Sequence, residues 1–160
     1  MIYRNKYAYR ACIGVMLLNQ DKKVFVGQRI DNQGSWQMPQ GGIENDEDYV
    51  TAAKRELKEE IGTDKINIIR ISRDWHYYDI PTFLQPKLWN GKYLGQRQKW
   101  VLAKFLGTDD DITIKTEIPE FDSWKWVDID SLVKLIVPFK RKTYQAIIDE
   151  FHEEIQKHFP

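Results

Sequence analysis

The chain has 160 residues and a mass of 19.1 kDa, a length that suits one domain with enough chain for a real core. Hydrophobic residues make up 42% and charged residues 30%, which excludes a disordered chain. Twenty-four Lys and Arg balance 24 Asp and Glu, which excludes a generic polycation that coats nucleic acid or membrane, and the single Cys12 excludes an internal disulfide and a cysteine-cluster metal site.

Ala11–Leu18 is a short continuous apolar run that predicts a buried strand, and Val24–Arg29 predicts its return strand after the polar turn 19–23. Asn32–Ser35 reads as a loop. Trp36–Gly42 cannot be helical, because Pro39 biases Met38 towards an extended backbone and Gly41 and Gly42 permit unusual dihedrals. A helix is predicted from about Asp46 to Ile61, with Val50, Ala53, Leu57 and Ile61 as the core stripe and Gly62 as C-cap. Strands are predicted at Ile66–Ser72, Trp75–Ile80, Lys99–Leu106 and Trp124–Val127. A short helix near Ile129–Leu135 and a final helix over Thr143–His158 follow, the latter with Tyr144, Ile147, Ile148, Phe151 and Ile155 as its apolar face. The pattern predicts an α+β fold, one sheet system between helices, and a single domain over residues 1–160. No apolar stretch approaches the length of a membrane span and the first six residues have no signal-peptide core, so the expectation is a cytoplasmic protein without a membrane partner.

The charge is uneven. Between Glu44 and Asp64 lie eight acids and three bases, a local net charge of −5 within a neutral chain. Such a run is ordinarily a solvated helix face. At about 100° per residue, however, Glu60 lies about 40° to one side of Glu56 and Glu59 about 60° to the other, so three glutamates share one face beside the core stripe. Like charges so placed destabilise a bare helix by about 0.2–0.5 kcal/mol per pair, and a divalent cation reverses that sign because hard ions take carboxylate oxygens. The Gln40-Gly41-Gly42 loop can bring a carbonyl to the same ion, and Arg55 can orient a carboxylate by a bidentate pair.

Gly41, Glu47 and the run Arg55-Glu56-Leu57-Lys58-Glu59-Glu60-Ile61-Gly62 resemble the Nudix box, here residues 41–63. Chance agreement at its seven fixed residues is on the order of 10⁻⁸ at one start. Thr63 departs from the pattern, which ends in an aliphatic residue, and a small packing effect is expected there. The stretches 35–42, 95–100, 119–127 and 138–141 are similar to one Nudix subgroup, the bacterial RNA pyrophosphohydrolases, also described as dinucleoside polyphosphate hydrolases. The resemblance implies the Nudix fold, an α/β/α sandwich with a mixed sheet. It implies cleavage of a phosphoanhydride with Mg²⁺ or Mn²⁺, on 5′-triphosphate or diphosphate RNA ends or on dinucleoside polyphosphates. A nucleotide-binding module that does not cut is the alternative of another class.

By the same resemblance Glu56, Glu59 and Glu60 are catalytic metal ligands, Gly41 adds its carbonyl, and Glu120 reaches the cluster as ligand or base, with Glu117 as its fallback. Glu47 acts with the helix dipole or with Arg55. Arg10, Arg29, Arg97, Lys99, Lys140 and Arg141 are candidates to hold phosphates. Arg29 and Ser35 are placed at the phosphate end, and Tyr78, Val137, Phe139 and Lys140 form the nucleotide platform, where Phe139 can stack a base. His152 and His158 read as surface residues, Cys12 as a small buried hydrophobe, and Trp36, Trp75, Trp100, Trp124 and Trp126 as core.

Overall fold

A computed structural model describes residues 5–160; the start of the chain, read above for a signal segment, lies partly outside the described residues. Eight strands form one sheet: β1 (Tyr9–Leu18), β2 (Val24–Arg29), β3 (Trp36–Gln37), β4 (Gln40–Gly42), β5 (Ile66–Ile71), β6 (His76–Asp79), β7 (Gly95–Phe105) and β8 (Phe121–Val127). The spine runs β3-β2-β1-β7-β5, with β4 added to β1, β6 to β7 and β8 to β2. β1 and β7 pair in parallel over ten residues and the other pairs are antiparallel, so the sheet is mixed. Helix α1 (Tyr49–Ile61) covers one face, while α2 (Leu132–Leu135) and α3 (Arg141–His158) cover the other.

The apolar run of β1 follows from that sandwich. Ile13, Val15 and Leu17 pack towards Ala52, Ala53, Leu57 and Ile61 of α1, whereas Met16 and Leu18 pack towards Tyr144, Ile147, Phe151 and Ile155 of α3. A strand covered on both faces reads as continuously hydrophobic rather than alternating. Trp100, the largest wholly buried side chain, sets its ring edge-on to Tyr144 at 5.8 Å and fills the space above Gly14, where a Cβ would meet the indole at 2.6 Å.

Several local expectations shift. α1 starts at Tyr49 rather than Asp46, because the Asp48 carboxylate caps it by accepting from the Thr51 amide at 2.7 Å. Gly62, at φ 77°, ends it as expected. Val50 is 37% exposed rather than core. Val50 shares the angular position of the buried Leu57 and Ile61 but lies in the first turn of α1, whereas the buried positions run from Ala52 onward. β7 begins at Gly95, four residues before the predicted start at Lys99, since Gln96 and Gln98 are buried and find polar partners inside. Of the tryptophans read as core, Trp100 is wholly buried and Trp36, Trp124 and Trp126 are half-buried against the core, whereas Trp75 joins neither core cluster and lies under the Arg97 guanidinium at 4.2 Å.

Candidate active site

α1 carries the three glutamates across the sheet beside β4, and the loop and first turn ahead of the helix are tied back to it by one arginine. Arg55 donates to Glu47 (2.6 and 2.9 Å), Glu56 (2.8 Å), Glu59 (3.2 Å) and the Gly42 carbonyl (2.8 Å). Glu47 also accepts from the Glu44 amide at 3.0 Å. The guanidinium holds the Glu47 carboxyl below the usual range, while burial raises that of Glu56. Arg55 thus orients carboxylates as its position in the sequence suggested, and Glu47 is its partner.

Glu60 is 4% exposed and its Oε2 has no hydrogen-bond partner. Burial, followed by the charges of Glu56 and Glu120, pushes its carboxyl well above the ordinary range. A buried carboxylate oxygen without a partner is costly, and a bound cation would offset that cost. Glu59 is exposed at the mouth of the site. Gly41 lies against Glu56 so closely that a Cβ would sit 2.1 Å from the carboxyl carbon. Only glycine lets β4 pass the helix at this distance. Among the described residues no three acidic, imidazole or thiol groups stand ready as an ion cage, and Arg55 holds Glu56 and Glu59. The oxygen-only donor set and the orphaned Glu60 atom fit a hard divalent ion.

Glu120 enters from the other side. Its carbonyl accepts from the Ile30 amide at 3.0 Å, and the adjacent Phe121 ring lies over Gly27, where a Cβ would meet it at 2.4 Å. The aromatic start of β8, with Phe121 and Trp124 against Phe25, therefore anchors a loop whose carboxylate is exposed towards Glu60. Glu117 lies in the same hollow, of about 460 Å³, with Glu56, Glu59, Glu60 and Glu120.

A cleft of about 560 Å³ joins Gly41, Glu56, Glu59, Glu60 and Glu120 to Arg29, Ser35, Tyr78, Val137, Phe139 and Lys140. The structure thus brings the residues assigned above to the metal cluster, the phosphate end and the nucleotide platform into one cleft. Arg10 also lines it, but Arg97, Lys99 and Arg141 do not. Lys99 is tied to the carbonyls of Ser72 (3.2 Å) and Arg73 (2.7 Å) on another face. Arg29 is not bare: Asp31 receives two hydrogen bonds from it at 2.6 and 2.7 Å.

Lys140 is buried above the Tyr78 ring, 5.1 Å from its centroid, and burial followed by the charge of Arg29 lowers its ammonium to about 8. Phe139 is half-buried and tilted against Tyr78 at 5.9 Å, so it is a wall of the cleft and not a core anchor of α3. Beneath them Gln96 receives from Arg10 at 3.0 Å and donates to the Tyr78 hydroxyl. Gln98 joins the Trp100 indole (3.1 Å) to Gln40 (2.5 Å). These glutamines and Trp89, which also lines the cleft, were not anticipated. The alternation Gln96-Arg97-Gln98-Lys99 was the available sign of a strand with one polar buried face.

Comparison with known proteins agrees with this geometry. The RNA pyrophosphohydrolase of Rickettsia rickettsii (strain Sheila Smith) is 53% identical over 149 residues, 92% of each chain. That of Rickettsia prowazekii (strain Madrid E) is 53% identical over 156 residues, 95% of this chain and 97% of the other. Among solved structures, the E. coli dihydroneopterin triphosphate pyrophosphohydrolase shares the fold at a TM-score of 0.64 and 21% identity, covering 89% of this chain and 98% of that one. The C. elegans Ap4A hydrolase does so at 0.64 and 18%, covering 92% and 98%. The NUDIX domain profile matches residues 8–147, most of the chain and all of the glutamate helix, and the chain belongs to the Nudix family.

Proposed function

We propose that the protein is an RNA pyrophosphohydrolase that converts 5′-triphosphate or diphosphate RNA ends to 5′-monophosphate ends, a step that starts RNA decay, and that it works as one domain in the cytoplasm with Mg²⁺ or Mn²⁺. The observation that carries this reading is the single cleft that joins the glutamate face of α1 to the Tyr78–Phe139–Lys140 wall. The near-complete coverage of two relatives named RNA pyrophosphohydrolase supports it. Intact Glu56, Glu59 and Glu60 speak against a module that binds without cutting. Among the described residues no helix is long and apolar enough to cross a membrane.

Nudix hydrolases use divalent metal ions. Glu56, Glu59, Glu60 and the Gly41 carbonyl would hold such ions, which would supply charge neutralisation for the phosphate oxygens and activation of the attacking water. The rest falls to side chains. Arg55 keeps Glu56 and Glu59 aimed. Glu120 either completes the ligand set or takes the proton of the water that adds to phosphorus as the anhydride P–O bond breaks. Arg10, Arg29 and Lys140 face the phosphates, and Arg29 exchanges the exposed Asp31 for a phosphate oxygen. Phe139 and Tyr78 offer ring faces to a base.

The test is product analysis of a 5′-triphosphate RNA incubated with the protein and Mg²⁺. A 5′-monophosphate end with released pyrophosphate or phosphate is expected. Glu59→Gln, which removes one charge from an exposed position, should stay folded and lose turnover by orders of magnitude. An unchanged 5′ end with wild-type protein, or near wild-type hydrolysis by folded Glu59→Gln, overturns the reading.

A further inference from the structure

The cleft has a second aromatic wall that no role above uses. Between β6 and β7 the chain makes a tight excursion in which Trp89, Asn90 and Gly91 have φ of 48°, 56° and 71°. The turn is closed by the Gly91 amide on the Leu88 carbonyl at 2.9 Å and the Lys92 amide on the Trp89 carbonyl at 3.1 Å. Asparagine and glycine accept such dihedrals, but a bulky residue there is an outlier. Strain of this kind persists where the surroundings hold it and clusters at ligand sites. Here it turns the Trp89 indole into the cleft, braced edge-on by Tyr93 at 6.0 Å.

The Trp89 ring carries the Arg10 guanidinium, 5.3 Å from its centroid. Arg10 has no carboxylate partner among the described residues and passes close to the backbone of Gly42, beside the glutamates. One end of Arg10 therefore lies beside Gly42 on the glutamate side of the cleft, and its guanidinium lies over the indole ring. Indole and guanidinium planes are the surfaces on which unpaired bases stack, with little regard to sequence.

We propose that Trp89, together with Arg10, is the stacking site for the nucleobase of the 5′-terminal nucleotide, the one attached directly to the polyphosphate. The inference rests on the RNA reading and deepens it. The Phe139 wall, which lines the same cleft, then serves the next base. Because stacking ignores base identity, this site adds affinity for RNA ends in general and selects against 5′-phosphates that lack a base.

The test uses two 5′-triphosphate RNAs that differ only in their first nucleoside, one normal and one abasic, with wild-type protein, Trp89→Ala and Trp89→Phe at saturating Mg²⁺. A base stacked on an aromatic ring corresponds to roughly five- to a hundredfold in affinity. Wild type should therefore show a KM for the abasic RNA raised by a factor in that range, with kcat nearly unchanged. Trp89→Ala should raise KM for the normal RNA by a similar factor and for the abasic RNA by clearly less, and Trp89→Phe should recover most of the loss. Equal KM for the two RNAs with wild type overturns the inference, as does a Trp89→Ala loss that is the same on both. The first outcome still leaves the RNA reading standing; a wild type idle on both RNAs sinks that reading and the inference with it.

Discussion

Replacing Arg55 with alanine tests whether one guanidinium holds the glutamate helix to the loop that precedes it. Arg55 is 21% exposed, and two of its partners, Glu47 and Glu56, have side chains only 8% and 9% exposed. Glu44 and Glu59 are 69% and 58% exposed, so their shares fall in the about 0–1 kcal/mol range of surface pairs. Removing one partner of a buried pair costs about 3–5 kcal/mol, because a charge is left without compensation. Water can reach this rim, so a loss of about 2–4 kcal/mol is the expectation. For a chain of this length that lowers Tm by roughly 5–15 °C. The loss depends on pH with a defined sign. Arg55 depresses the Glu47 carboxyl below its unfolded value of 4.5, so its stabilisation is complete above that value and fades as pH falls through the lowered folded pKa. Arg55→Ala should therefore trail wild type fully at pH 7.5 and by less near pH 4. Arg55→Lys should recover only part, since a point charge cannot span Glu47, Glu56 and the Gly42 carbonyl together. Urea unfolding followed by circular dichroism in chelator reads all of this. An Arg55→Ala protein within about 1 kcal/mol of wild type at pH 7.5, below even the discounted buried-pair cost, would refute the reasoning.

Glu120→Ala should lower kcat by about 10²–10⁴-fold, the range of a general base, with Tm nearly unchanged because the side chain is exposed. If Glu120 is a ligand only, added Mg²⁺ or Mn²⁺ restores part of the rate, and full activity at low metal transfers the role to Glu117. Lys140 loses its charge as pH rises through about 8. The KM for 5′-triphosphate RNA should therefore climb between pH 7 and 9 in wild type, a trend that Lys140→Met abolishes. The same depressed pKa means that the folded state sheds this proton before the unfolded one, so Lys140→Met should also raise Tm at pH 7.

The sandwich was legible because its two covers leave period-specific marks: the doubly buried β1 and the stripes of α1 and α3. The glutamate face was legible too, from helical spacing and from the box. Less legible was that Glu56 and Glu60 are buried while Val50 is not, for a hydrophobicity reading assigns carboxylates to solvent and valine to the core. The start of β7 was hidden for the same reason, since Gln96 and Gln98 are satisfied by Tyr78, Gln40 and Trp100 only after the strands have paired. Trp89 lay in a stretch without periodicity, where Asn90-Gly91 marks a turn but nothing in the sequence says which way the indole points. The pairing of Arg29 with Asp31 is a contact two residues apart in a loop, outside the reach of helix or strand periods.

The central claim is that the cleft reads RNA and not only a nucleoside polyphosphate. It is tested most directly by kcat/KM measured side by side for a 5′-triphosphate oligoribonucleotide, ATP and diadenosine tetraphosphate, at equal concentration with Mg²⁺. Contacts to the first base by Trp89 and to the next by Phe139 and Lys140 predict a clear advantage for the oligonucleotide over both small substrates. Equal values for ATP and RNA, or a preference for diadenosine tetraphosphate, would contradict it.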